Sequence, residues 1–201
     1  KAYEVNISLF DALKGTITSS QNSPDADPWQ IARFLCAHKI MLALEGVPAF
    51  YIHSLLGTQN DHELTQKTGR ARSINRHQWD IDELNDKLYD SESHHKQVFD
   101  QLKQLIKIRR KQAAFHPNAT QYTLHLGESL FAFWRESLDR HQNIFAIHNV
   151  SDQVQQVSLV ELNLIATEKW HDLLSGETYE DLNACIELAP YQCLWITTIT
   201  H

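Results

Sequence analysis

The chain has 201 residues, 42% of them hydrophobic, enough to bury a substantial core in one or two domains. Its 18 Lys plus Arg against 25 Asp plus Glu leave a net charge of −7 with no prominent basic cluster, which argues against a nucleic-acid partner or an anionic membrane surface. No apolar run approaches the roughly 18 residues of a membrane span, and the start does not read as a signal peptide.

Residues 1–14 carry alternating and clustered apolar groups, and the Ser-, Asn-, Pro- and Asp-rich stretch Ser19 to Pro28 reads as a loop. Asp27-Pro28 then offers an N-cap followed by proline at the first helical position. Ile31, Phe34, Leu35, His38, Met41, Leu42 and Ala43 fall at helical spacing, so a well-buried helix is expected over Trp29 to Leu44. Gly46-Val47-Pro48 stops it. Ala49 to Ile52 reads as a short buried strand, with the proline tolerated at its start. A polar loop follows from about Leu56 to Glu83. A second strong helix is expected from about Ser91 to Ala113, its apolar face made by Val98, Leu102, Leu105, Ile106 and Ile108. The basic string Lys107 to Lys111 lies near the end of that helix, where cations complement the dipole.

From Thr120 the apolar period becomes two: Tyr122, Leu124 and Leu126; Leu130 to Trp134; Ile144 to Ile147; Val154 to Val160; Ile186 and Leu188; Leu194 to Ile199. Turn residues punctuate these runs at spacings typical of a meander or sandwich. The three cysteines, Cys36, Cys185 and Cys193, are an odd number in apolar surroundings; they read as buried free thiols in a reducing, cytoplasmic compartment. His94 and His95 have no Cys or further His at zinc-ligand spacing, so no metal site is expected.

The candidate site is the loop after the expected strand, which holds Asn60, Asp61, Glu63, Lys67, Arg70, Arg72, Asn75, Arg76 and His77. A polar cluster following a buried strand is how α/β barrels build ligand sites, and arginine's planar fork can bond a carboxylate and sugar hydroxyls together. Composition alone leaves open whether this loop binds a ligand or is only solvated.

The residues themselves go further. Gly46-Val47-Pro48-Ala49-Phe50-Tyr51, then Leu55 or Leu56 and Gly57, Asn60-Asp61 and Ile74-Asn75-Arg76-His77, resemble the end of the catalytic barrel in sucrose-phosphorylase-like enzymes of the α-amylase superfamily. Tyr3-Glu4-Val5-Asn6 with Ala12-Leu13 is similar to the same family's segment ahead of the seventh barrel helix. The resemblance implies an α/β plus all-β chain: the C-terminal end of a (β/α)8 barrel over residues 1–115, followed by a small antiparallel β-sandwich over 116–201.

Such enzymes retain the anomeric configuration through a glucosyl-enzyme intermediate, using paired carboxylates, and phosphate then takes the glucosyl group. By resemblance, Arg76 pairs with an aspartate early in the barrel and closes the glucose pocket. Asn75 and His77 support it, Asp61 and Arg72 brace the loop, and Tyr3 and Glu4 lie in a mobile acceptor loop. The resemblance also implies that the catalytic carboxylates lie on strands preceding Lys1. None is expected within these residues, which should be inactive alone and should associate with a missing N-terminal barrel portion. The other partners implied are a small-molecule sugar and inorganic phosphate, with no cofactor.

Glu45-Gly46 replaces the family's usual Pro-Gly, and Tyr51-Ile52-His53-Ser54 replaces a more apolar pattern. Both point to a branch other than the typical sucrose enzyme, with sucrose, sucrose 6-phosphate and glucosylglycerate open as donors. The alternative function is a β-sandwich carbohydrate-binding or interaction module, with Trp134, Trp170, Tyr179 and Tyr191 as stacking platforms. An incomplete barrel is further expected to expose the apolar faces of both long helices and of the Ala49 to Ile52 strand.

Overall fold

The computed structural model describes residues 5–15, 27–162, 164–165 and 169–198. They gather into two compact units, one drawn from residues 1–35 and 49–103 and the other from 36–48 and 104–201.

The helical unit starts with α1, Leu9–Ala12, whose first turn is capped by the Ser8 hydroxyl accepting from the Asp11 N–H. Asp27 accepts from the Trp29 N–H through its side chain at the start of α2, Gln30–Ala43, as the Asp-Pro pair predicts. The expected strand at Ala49 to Ile52 is absent. Tyr51 is extended, at φ −75° and ψ 137°, and the chain turns directly into α3, Ile52–Leu55. Residues 49–51 form no strand and join neither of the two sheets.

The stretch expected to be loop from Leu56 to Glu83 instead folds into α4, His62–Thr68, a 3₁₀ turn over Ala71–Asn75, and the start of α5, Ile81–Tyr89. Its capping chemistry explains this. The Asp61 carboxylate accepts from the Leu64 N–H at the start of α4, and Gly69 ends that helix at φ 63°. Asp80 caps α5 by accepting from the Asp82 and Glu83 N–H groups.

The long helix α6, His94–Arg109, is shorter than its apolar pattern suggested. Its stripe of Val98, Leu102 and Leu105 is buried, as are Phe34, Leu35 and Leu42 of α2, so the faces expected to lie bare are covered. At Ala49 to Ile52 the expected exposure is seen at Tyr51 and Ile52, and other apolar residues such as Val47, Ile81 and Tyr89 are bare as well. Gly57, at φ 60°, is a position only glycine suits: a Cβ there would sit 3.3 Å from Val98 Cγ2.

The second unit is built on a six-stranded antiparallel sheet ordered β1-β2-β3-β8-β5-β6, with strands Thr120–His125, Leu130–Glu136, Asn143–Asn149, Cys193–Thr198, Trp170–Asp172 and Thr178–Tyr179 respectively. A separate antiparallel pair joins β4, Gln155–Ser158, to β7, Cys185–Leu188. Six of the eight strands match the period-two runs; β5 and β6 were not foreseen, being only three and two residues long.

The two central strands, β3 and β8, are buried on both faces. One face contributes Leu130, Ala132, Phe145, Ile147, Leu194 and Ile196 to a core shared with Val157, Leu159, Trp170 and Leu188. The opposite face carries Phe133, Ile144, Ala146, His148, Trp195 and Arg135, all buried. Register fixes this split, since Phe133 pairs with Ala146 and Ala146 with Trp195 across the sheet.

The end of α2 shows how this unit treats buried polarity. Its last carbonyls would be orphans. The Arg135 guanidinium, wholly buried, donates to the Ala43 carbonyl at 2.6 Å and to the His116 carbonyl at 2.9 Å. Arg109 donates to the Leu42 carbonyl at 2.7 Å and the Phe115 carbonyl at 2.9 Å. Two cations thus meet the negative end of the helix dipole.

Candidate functional site

The sequence motif Asn60-Asp61 to Asn75-Arg76-His77 closes on itself in the helical unit. His77 Nδ1 and Asp61 Oδ2 are 2.6 Å apart, and the Asp61 N–H donates to the Ile74 carbonyl at 2.7 Å. One aspartate therefore caps α4, holds the imidazole and bonds the backbone just ahead of Asn75. On the other flank, the Tyr51 hydroxyl donates to the Asn75 carbonyl at 3.1 Å. Thr68 Oγ1 and Ser73 Oγ, 2.7 Å apart, tie the end of α4 to the 3₁₀ turn.

The loop is anchored from outside as well. The Ser8 N–H donates to Asn60 Oδ1 and the Asn60 N–H donates to Asp11 Oδ2, both at 2.7 Å, so the turn and α1 hold each other reciprocally. Trp79 packs edge-on against His77 and His95, with ring centroids 4.5 and 5.1 Å away, and its indole N–H donates to Thr58 Oγ1 at 3.2 Å. His95 Nδ1 lies 2.7 Å from the Leu56 carbonyl and His94 Nε2 lies 3.1 Å from the Gly57 carbonyl. Because carbonyls only accept, each imidazole places its proton on that nitrogen.

These residues line a groove of about 500 Å³ whose wall includes Asn60, Asp61, His77, Trp79, Lys87 and His95. Two backbone and side-chain donors, the Leu64 N–H and His77, hold the Asp61 carboxyl below its ordinary range. Burial pushes the His94 and His95 imidazoles down, so both favour the neutral form; burial and the nearby His77 do the same to His53. His77 Nε2 is enclosed and has no hydrogen-bond partner among the described residues.

Arg76 stands apart from its neighbours. Its backbone N–H donates to the Ser73 carbonyl at 3.0 Å, but the residue is exposed and its side chain forms no ion pair among the described residues. Asn75 and His77 are half-buried on either side of it, and Arg72 is exposed on the 3₁₀ turn. Tyr3 and Glu4 lie outside the described residues. The structure thus brings Asp61, Asn75, Arg76 and His77 together. It adds Tyr51, Thr58, Trp79 and His95, which were not singled out as site residues. The signal for Trp79 was available: an indole two residues past His77, on the same side of an extended segment.

Of the four aromatic residues offered as stacking platforms, Trp134 and Tyr179 are half-buried. Trp170 and Tyr191 are buried, and Trp134 spends its indole N–H on Asn143 Oδ1 at 2.8 Å. Cys185 is exposed, against the expectation that all three thiols would be buried. No helix among the described residues is long and apolar enough to cross a membrane.

Comparison with known proteins places this arrangement in a class. An α-amylase from Anoxybacillus superposes on 86% of the chain, over 33% of its own length, with a TM-score of 0.63 at 14% identity. The fold of helices and an antiparallel sheet is thus like that of about a third of an α-amylase chain. No protein-family model matches.

In sequence the chain is similar to glucosylglycerate and sucrose phosphorylases. It is 37% identical over 194 residues to the glucosylglycerate phosphorylase of Allomeiothermus silvanus, a match covering 96% of this chain and 31% of that one. It is 37% identical over 82 residues to the sucrose phosphorylase of Agrobacterium vitis, covering 41% and 14%. The chain spans about a third of the length of the curated relatives it matches end to end.

Proposed function

We propose that these residues belong to a retaining glycoside phosphorylase of the cytoplasm, which transfers a glucosyl group from an α-glucoside to inorganic phosphate and releases glucose 1-phosphate. Glucosylglycerate is the favoured donor. The observation that carries this reading is 37% identity to a glucosylglycerate phosphorylase sustained over 96% of the chain, whereas sucrose phosphorylases match 41% of it at 37% identity or 75% of it at 31%. Glu45 and Tyr51 to Ser54 depart from the typical sucrose enzyme, which is compatible with another donor.

Residues 1–115 supply the barrel-derived part and 116–201 the β domain. Arg76 is the substrate-binding group, presented between Asn75 and His77, each pinned by a bond of its own. An exposed guanidinium with fixed flanks suits a charge-assisted pair with a carboxylate outside these 201 residues, together with sugar hydroxyls. Asp61 and Arg72 brace the loop, and Tyr3 and Glu4 contribute to acceptor selection. The paired carboxylates that perform glycosyl transfer come from elsewhere in the protein, so the 201 residues alone turn over nothing.

The test is to assay the gene product that contains these residues with phosphate and, separately, glucosylglycerate, sucrose and sucrose 6-phosphate, following glucose 1-phosphate. Release from glucosylglycerate is expected, with Arg76→Ala lowering kcat/KM by about 100-fold or more while leaving the melting temperature unchanged. Absence of glucose 1-phosphate from every donor would overturn the reading, and an unaffected Arg76→Ala enzyme would remove Arg76 from it.

A further inference from the structure

The sheet unit holds two thiols from distant parts of the chain side by side. Cys36, on α2, and Cys193, the first residue of β8, have their sulfur atoms 3.6 Å apart and are both 3% exposed. The Cys193 thiol has two acceptors in reach, Cys36 Sγ at 3.6 Å and the Tyr191 carbonyl at 3.7 Å, while the Cys36 thiol faces the Asn149 carbonyl at 3.6 Å. No phosphorolytic role calls for either residue. We propose that Cys36 and Cys193 are a modification site, a dithiol that closes to a disulfide when a peroxide reaches the folded protein.

The remaining gap is small, since bond formation requires the sulfurs to close from 3.6 Å to about 2.05 Å. Cys36 is the first nucleophile. The hydrogen bond from Cys193 holds the Cys36 thiol below its usual range, whereas burial drives that of Cys193 up.

In the first step Cys36 sulfur attacks one peroxide oxygen, the O–O bond breaks, and the departing hydroxide takes the Cys36 proton and leaves as water. This makes a sulfenic acid. Cys193 sulfur then attacks Cys36 sulfur and the S–OH bond breaks. The leaving hydroxide carries off the Cys193 proton as a second water. Two thiols are oxidised by two electrons in total, and one peroxide is reduced to two waters.

Cys185, exposed on β7, is the internal control. If exposure alone decided reactivity it would oxidise first and the buried pair would survive. The link also joins residues 157 positions apart, so it constrains the unfolded chain strongly and raises the melting temperature, which oxidation of Cys185 does not.

The experiment treats the folded full chain with hydrogen peroxide, unfolds it, alkylates free thiols and maps peptides without reduction. The expected result is a peptide pair joined through Cys36 and Cys193 and lighter by two hydrogens, reversed by dithiothreitol, with a melting temperature several degrees higher. Cys185→Ser should keep the link. Cys193→Ser should lose it and leave Cys36 as a sulfenic acid that dimedone traps. The wild-type chain decides the matter if a variant fails to fold: three alkylated cysteines after peroxide, or links and oxidation confined to Cys185, would overturn the proposal.

Discussion

In the sheet unit, buried polar groups are spent on backbone. The Asn149 amide donates to the Gln153 carbonyl at 2.7 Å and the Ala189 carbonyl at 3.0 Å, and Asp172, 1% exposed, accepts from the Trp195 and Ser175 N–H groups at 2.7 and 2.9 Å. Arg135 serves carbonyls in the same way. In the helical unit, side chains near the groove also tie to one another: Asp61 to His77, Thr58 to Trp79 and to His53. The difference separates two jobs. A side chain bonded to buried backbone completes a fold, and removing it strands groups that cannot reach water. Side chains bonded in pairs fix a loop's shape beside Arg76, which forms no ion pair among the described residues.

The sharpest way to break that contrast is Arg135→Met, which keeps length and apolar contact but removes the donors. Loss of about 3 kcal/mol or more is expected, because several buried carbonyls lose a charged partner together. Urea unfolding followed by tryptophan fluorescence measures it, and a cost below about 1 kcal/mol would show that backbone satisfaction is not what holds this unit.

His148 offers a comparable effect through pH. It is fully buried, its Nδ1 lies 2.9 Å from the Phe131 carbonyl, and burial lowers its pKa from 6.5 to about 4. The folded state keeps it neutral while the unfolded chain takes a proton near 6.5, so its stabilising effect is complete at neutral pH. That effect fades as pH falls from 6.5 to about 4 and is constant below, a total on the order of 3 kcal/mol. His148→Gln should flatten the dependence over this window; a wild-type curve already flat there would refute the account.

Gly57→Ala transfers the test to the helical unit. The left-handed backbone and the contact with Val98 predict a cost of about 1–2 kcal/mol, seen as a lower urea midpoint with an unchanged slope. Gly69, also at positive φ but with nothing within 4 Å of its ideal Cβ, should cost less on the same substitution.

Legibility in the sequence follows the same division. The long helices and six strands were readable because each carries a strong apolar period that one buried face enforces. The strand at Ala49 to Ile52 was misread because apolar composition does not reveal whether a neighbour exists to pair with. The helices α4 and α5 were missed because few of their residues are buried; their only signals are Asp61, Gly69 and Asp80, which polar composition hid. The motif located Asp61, Asn75 and His77. Tyr51, Thr58 and His95 could not be placed beside them, because the turn at Leu56-Gly57 that docks on α6 has no local sequence signature.

The smallest effect is the most informative about the loop. Asp61 does two things with two oxygens: Oδ1 accepts from the Leu64 N–H and Oδ2 meets His77. Asp61→Asn can keep the cap and lose the charge, so it should cost well under 1 kcal/mol, whereas Asp61→Ala loses both and should cost about 1–2 kcal/mol. The sign with pH is the same as for His148, in a more acidic window. A carboxyl held below its ordinary 3.8 stabilises the fold above that value and loses the contribution only as pH drops through its lower folded pKa. Amide exchange across residues 61–77 reads the local consequence: faster in Asp61→Ala, nearly unchanged in Asp61→Asn. Equal acceleration in both would mean that the charge on the His77 contact, rather than the cap on α4, sets the shape that presents Arg76.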